Sequence, residues 1–224
     1  MKIIQQSAEI VNKPDYQIML STVEQAIRNC YQSQSAIKDG SAEKIITSCI
    51  GWNHNSVLEF ADITIKLIAD RTLLAQISRQ RLASLAVESM RYCNYSKDRF
   101  NHEIKVIMPE NLTVDAYNTW EQSVKQAEEN YFKMIEEYKV SAEVARSILP
   151  HCTATTIFMK ANIREWRHIF TLRCDSHAQK DIRMLMTDLL DQFYTNYPVF
   201  FSDLYEKYVL NNNEYKEYKD RCNQ

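Results

Sequence analysis

At 224 residues, with 45% hydrophobic and 25% charged side chains, the chain has the size and composition of a globular protein able to bury a full core. A formal net charge of −2 excludes a general nucleic-acid binder, because displacing counterions from a phosphate backbone needs a basic surface. Six scattered cysteines without a Cys-x-x-Cys pair argue against a disulfide framework or zinc knuckle, and two glycines, Gly40 and Gly51, cannot build a Gly-rich dinucleotide turn or a phosphate loop. No apolar run approaches membrane-spanning length, and the start, MKIIQQSAEI, lacks the apolar stretch of a signal peptide. The expectation is a cytoplasmic protein with reduced thiols that binds neither membrane nor nucleic acid.

Lys2 to Val11 can form a short strand, and Pro14 to Tyr31 reads as a helix with Ile18, Val23, Ala26 and Ile27 on its buried side. Ser33 to Gly40 is polar and turn-like. Ser41 is a good cap for a second helix running toward Ile50, and Gly51 marks its end. In Trp52 to Phe60, WNHNSVLEF, a histidine, a serine and a glutamate crowd together without periodicity; read locally, the segment is a capping serine with a structural histidine beside it. Asp62, Thr64 and Lys66 alternate with Ile63, Ile65 and Leu67, the pattern of a half-buried strand. A helix from Arg71 to Gln80 follows, on which Gln76 shares a face with Arg79 about one turn on.

Arg79 to Tyr92, RQRLASLAVESMRY, concentrates three arginines and two serines. Its LASLAV run has neither a surface helix's polar spacing nor a strand's alternation, so it reads as a loop before the β-prone RYCNYS. Guanidinium groups offer planar forked donors matched to phosphate, and serine hydroxyls add short ones, so this composition suits a nucleotide's phosphate; a solvated helix end with surface arginines is the alternative. Lys105 to Met108 reads as a strand or a loop edge, stopped by Pro109. Val114 to Tyr138 is a helical insert whose Trp120, Val124, Ala127, Tyr131 and Ile135 stripe marks a core or a subunit interface.

Arg146 sits on a short helix that Pro150 ends, Thr153 to Met159 reads as a strand, and Asn162 caps the next helix. On that helix Arg164 and His168 are four apart and share a face, and Arg173 lies near its end. A further helix, Ala178 to Tyr194, carries Ile182, Leu185, Met186 and Leu189 inward. Cys174 and His177 are too few ligands for a metal, so none is expected. With no repeat and no long linker, residues 1–224 read as a single domain.

Arg79, Arg81, Ser84, Ser89, Arg91 and Tyr92 together resemble the RHRxxS signature, continued as SxRY, of the flavin-dependent thymidylate synthases. His54, Ser56 and Glu59 are similar to that family's HxSxLEH segment, with Phe60 in place of the last histidine. A second motif set resembles it independently: ARSILP around Arg146, the Asn162–Arg164–His168–Phe170 spacing, Arg173, then the AQKDIR run ending at Arg183. Gln80 stands where the family usually has histidine, and Ala86 and Val87 where an asparagine followed by an acidic or amide residue is common.

The resemblance implies an α+β fold, predominantly helical with a small, mostly antiparallel sheet. It implies reductive methylation of dUMP to dTMP, with 5,10-methylenetetrahydrofolate as carbon donor and NADPH-reduced FAD as hydride donor. Gln76, Arg79, Val87, Glu88, Ser89, Met90, Arg91, Arg146 and Arg173 would bind dUMP, with Arg173 also catalytic. Ser56, Arg79, Gln80, Arg81, Asn162, Arg164 and His168 would bind FAD. A homotetramer with active sites shared between subunits is implied, and no enzyme cysteine serves as nucleophile. Gln80 and Val87 keep open a second reading, a divergent or inactive relative acting as a nucleotide- or flavin-binding module.

Overall fold

In the computed structural model, which describes residues 1–222, the chain begins with two short strands, β1 (Lys2–Ile4) and β2 (Ser7–Ile10), where one was expected. Helix α1 (Tyr16–Tyr31) starts where Asp15 accepts a hydrogen bond from the Ile18 N–H at 3.0 Å, and buries Met19, Leu20, Val23 and Ile27. Ile18, expected inside, is exposed. A 3₁₀ turn, Gln34–Ala36, leads to α2 (Ser41–Gly51). Ser41 is not its cap: Gly40 takes that position in the left-handed region, and the Ser41 hydroxyl donates to the buried Glu24 carboxylate at 2.7 Å. A second 3₁₀ segment, Asn55–Phe60, precedes β3 (Asp62–Asp70), whose Ile63, Ile65, Leu67 and Ala69 are fully buried, as the alternation predicts.

Asp70 caps α3 (Arg71–Ile77) by accepting the Leu73 N–H at 2.7 Å. The helix ends at Ile77, so Arg79 lies beyond it and does not share a helical face with Gln76. Next come β4 (Ala83–Val87), β5 (Lys105–Ile107), α4 (Val114–Glu136), the single turn α5 (Ala142–Ala145) and a 3₁₀ turn at Arg146–Ile148. The chain closes with β6 (Ala154–Asn162), α6 (Ile163–Arg173), α7 (Lys180–Asn196), α8 (Pro198–Tyr208) and α9 (Asn213–Cys222). The result is α+β, mainly helical, with a four-stranded antiparallel sheet in the order β2-β3-β6-β4 and a parallel β1–β5 pair.

The described residues gather into two compact units, each drawn from several stretches of chain. Unit 1 comprises Met1–Ser7, Leu67–Arg79 and Ala86–Ile157. Its core is Tyr95, Ile104, Val106, Val124, Tyr131, Phe132 and Ala145, with Trp120 and Ile135 packed against it. The aromatic stripe of α4 is therefore core, and Glu128 on the same helix holds the Met1 ammonium at 2.6 Å and the Ile104 N–H at 2.9 Å. Unit 2 comprises Ala8–Lys66, Gln80–Leu85 and Phe158–Gln224, of which the residues to 222 are described. Trp166 of α6, Phe193 of α7 and Phe201 of α8 meet Phe170 at ring separations of 5.1 to 5.9 Å or one another at 5.2 Å. The Trp166 indole N–H donates to the Ile63 carbonyl at 3.0 Å, fixing α6 to β3. Among the described residues no helix is long and apolar enough to cross a membrane. Five cysteines are free thiols; the Cys222 side chain lies outside what is described.

Candidate functional site

Unit 1 carries the residues expected to bind nucleotide, apart from Arg173. The LASLAV run is a strand, β4, rather than a loop. Ala83, Leu85 and Val87 are half-buried and alternate with exposed Ser84 and Ala86, but because most of the run is apolar, this two-residue period left no trace in polarity. Just past the strand, the Glu88 N–H donates to the Thr156 carbonyl at 2.9 Å. The Glu88 carboxylate accepts the Tyr95 hydroxyl at 2.7 Å and the Thr156 N–H at 3.3 Å, so both of its oxygens are engaged within the unit.

The following residues form turns, not the β structure that RYCNYS suggests. The Ser89 carbonyl accepts the N–H groups of Tyr92 and Cys93 at 3.0 and 2.8 Å, and the Ser89 hydroxyl accepts the Arg91 N–H at 3.3 Å. This turn presents Arg91, whose Nε lies 2.9 Å from a Glu143 carboxylate oxygen. Arg146, one turn along from Glu143, donates its Nε to the Glu143 carbonyl at 3.1 Å. Two guanidinium groups remote in sequence thus meet at the oxygens of one exposed residue. Met90 packs against the core of the unit, Val87 and Gln76 are half-buried, and Arg79 is exposed.

Unit 2 carries the residues expected to bind flavin, apart from Arg79. Asn162 caps α6, its side-chain oxygen accepting the Glu165 N–H at 2.9 Å and leaving its amide N–H₂ to donate elsewhere. Arg164 reaches the Glu59 carboxylate at 2.6 Å, which ties α6 to the 3₁₀ segment holding Ser56. Arg164 and His168 are exposed on one face of the helix, and Ser56 and Arg81 are exposed as well. Glu165 beside them is buried; that burial raises its carboxyl above the usual range, against the pull of His168 and Arg164. Gln80 is buried, at 7% exposure. Arg173 is the last residue of α6 and half-buried.

These residues fit a flavin dinucleotide. Two exposed guanidinium groups, a hydroxyl and an amide N–H₂ are the donors a diphosphate needs. Cys174, next to Arg173, is packed inside, and burial pushes its thiol up to about 12, so it is not a nucleophile at neutral pH. Sequence reasoning missed Arg71, Tyr95 and Glu143 as partners of the expected residues. Only Glu143 had a local signal, lying three residues before Arg146.

Fold and side chains together define an α+β protein that offers arginine forks to anionic ligands without any glycine-rich turn. A family model described as "Thymidylate synthase complementing protein" matches residues 15–199, and the chain belongs to the flavin-dependent thymidylate synthase family. It is 29% identical over 169 residues to the flavin-dependent thymidylate synthase of Synechocystis sp., a match covering 69% of this chain and 76% of that one. With the enzyme of the same name from Pyrococcus furiosus it shares 30% identity over 164 residues, 72% of this chain and 66% of that one. The solved structure of Thymidylate Synthase X from Helicobacter pylori with FAD and dUMP superposes with a TM-score of 0.68 at 25% identity, covering 89% of this chain and 98% of that one. A UMP/dUMP methylase, PolB, from Streptomyces cacaoi shares the fold at a TM-score of 0.77 and 19% identity, covering 93% and 98%. The family is one of methyltransferases that use a flavin, FAD in the Helicobacter pylori structure.

Proposed function

We propose that this chain methylates dUMP reductively to dTMP, taking its one-carbon unit from 5,10-methylenetetrahydrofolate and its reducing equivalents from NADPH. The observation that carries the reading is the meeting of Arg91 and Arg146 at Glu143, where two forked donors stand ready for a phosphate. Ser89, Met90, Val87, Gln76 and Arg79 complete the nucleotide set; Glu88, whose polar groups are all taken within the unit, stands behind them. Ser56, Arg79, Gln80, Arg81, Asn162, Arg164 and His168 hold FAD, which when bound supplies the hydride that completes the methyl group. Arg173 has a separate task. Its guanidinium beside the uracil favours the anion formed when ring nitrogen 3 loses its proton, at about 1.4 kcal/mol per pKa unit, and that anion has a more electron-rich carbon 5. Residues 1–224 act as one catalytic domain, in a homotetramer whose subunits share active sites.

The test is to incubate the protein with FAD, NADPH, 5,10-methylenetetrahydrofolate and dUMP and assay dTMP, omitting each component in turn. Product that depends on all four is expected. Binding of FAD and dUMP without product would instead favour a divergent relative, the reading that Gln80 and Val87 support by departing from the family pattern. Mixing Arg79→Ala and Arg173→Ala subunits tests shared sites: turnover recovered after proven exchange is expected, and none would count against them.

A further inference from the structure

Glu88 is held at every polar group it has. Its carbonyl accepts both terminal nitrogens of Arg71, each at 3.3 Å. Its N–H and one carboxylate oxygen pair with the Thr156 backbone, and the other oxygen takes the Tyr95 hydroxyl. Each partner is itself fixed. Arg71 opens α3, its N–H bonded to the His151 carbonyl at 3.0 Å. Its Nε is buried with no hydrogen-bond partner, so the polar reach of that side chain falls on Glu88. Tyr95 is 5% exposed, its ring lies 5.2 Å from Phe100, and its N–H donates to the Tyr131 hydroxyl at 3.2 Å in the core of the unit.

A half-buried carboxylate that accepts a donor on each oxygen is held in one orientation, and a forked guanidinium on a carbonyl fixes the plane of that peptide. The next residue is Ser89, whose carbonyl and hydroxyl organise the turn that presents Arg91. We propose that Arg71, Glu88 and Tyr95 are positioning residues that set the Ser89–Arg91 turn for a nucleotide's phosphate without touching the nucleotide themselves. None of the three presents a charge to the ligand; they act through the backbone on either side of Glu88. The inference rests on the function proposed above.

The test uses the full chain loaded with FAD, comparing wild type with Tyr95→Phe, Arg71→Gln and Arg71→Lys. Tyr95→Phe removes one hydroxyl and keeps the ring packed, so the variant folds. dUMP dissociation constants by calorimetry, FAD affinity, KM and kcat for dUMP, and melting temperature are read together. Expected is a rise of about tenfold in the dUMP dissociation constant and KM for Tyr95→Phe and Arg71→Gln, the size of one lost hydrogen bond to a charged group, with Arg71→Lys intermediate. FAD affinity and kcat at saturating dUMP stay within about twofold of wild type on the same arithmetic. Unchanged dUMP affinity in both stronger variants, with wild type binding dUMP, overturns the positioning role alone. Equal loss of dUMP and FAD affinity with a lowered melting temperature also overturns it, since that is general destabilisation. Wild type that binds no dUMP overturns the proposed function and this inference with it.

Discussion

Replacing Arg91 by alanine separates binding from stability. In the free protein its guanidinium pairs with Glu143 at 2.9 Å, with side chains 52% and 48% exposed. An ion pair so open to solvent contributes about 0–1 kcal/mol and fades with salt. The guanidinium also lies 5.5 Å from the exposed Tyr92 ring, worth about 0.5–1 kcal/mol at such a site. Loss of the side chain therefore costs stability on the order of 1 kcal/mol, whereas one charge-assisted hydrogen bond to phosphate contributes about 1.5–3 kcal/mol. The expected outcome is a dUMP dissociation constant raised about ten- to a hundredfold with the fold intact. Calorimetric titration measures the first and urea denaturation the second. Deoxyuridine, which lacks the phosphate, is the internal control: its weak binding should be the same in both proteins. An unchanged dUMP constant, or an equal loss for deoxyuridine, would refute a phosphate role for Arg91. Arg91→Lys should fall between, keeping the charge and losing the fork.

Gln80→His should bind FAD about tenfold more tightly at pH 6 than at pH 8, because an imidazolium gives a flavin phosphate a charge-assisted bond that the amide cannot; FAD titrations at the two pH values check it, and a flat profile would place Gln80 away from the phosphates. Trp166→Phe leaves the buried Ile63 carbonyl without the indole N–H, so chemical denaturation should show a loss of about 1–3 kcal/mol. Cys174 supplies a pH test. Its folded thiol is pushed up to about 12 from the ordinary value of 9.0, so between those values the unfolded chain releases a proton that the folded chain keeps. This contribution is fully present below pH 9 and falls as pH rises toward 12. Urea midpoints at pH 8 and pH 10 should therefore drop less in Cys174→Ala than in wild type. Iodoacetamide at neutral pH should label exposed Cys30 well before Cys174.

Much of the framework was legible because it is local. Val124 and Tyr131 recur at helical spacing along α4 and are core, Ile63 to Leu67 alternate in β3, and Asn162 caps α6 as its position before Ile163 suggests. Errors fell where local chemistry has two uses. Ser41 has a capping hydroxyl, but the buried Glu24 takes it and Gly40 supplies the cap. Ala83 to Val87 is a strand whose alternation of burial is not an alternation of polarity, because small and apolar residues occupy both faces.

The sequence by itself determined most of the helices, the Asn162 cap of α6, and the stock of arginines and hydroxyls, since periodicity and side-chain chemistry act over a few residues. Its motifs also sufficed to place the chain in its family. Only the tertiary structure decided which groups those arginines meet. Arg91 and Arg146 are 55 positions apart (146 − 91) and come together at Glu143 because the core of unit 1 packs their segments there. Glu88 looked like a direct ligand, yet Arg71, Tyr95 and Thr156 take its polar groups. Such contacts depend on chain segments far apart in sequence, whose meeting is fixed by packing and not by any local pattern.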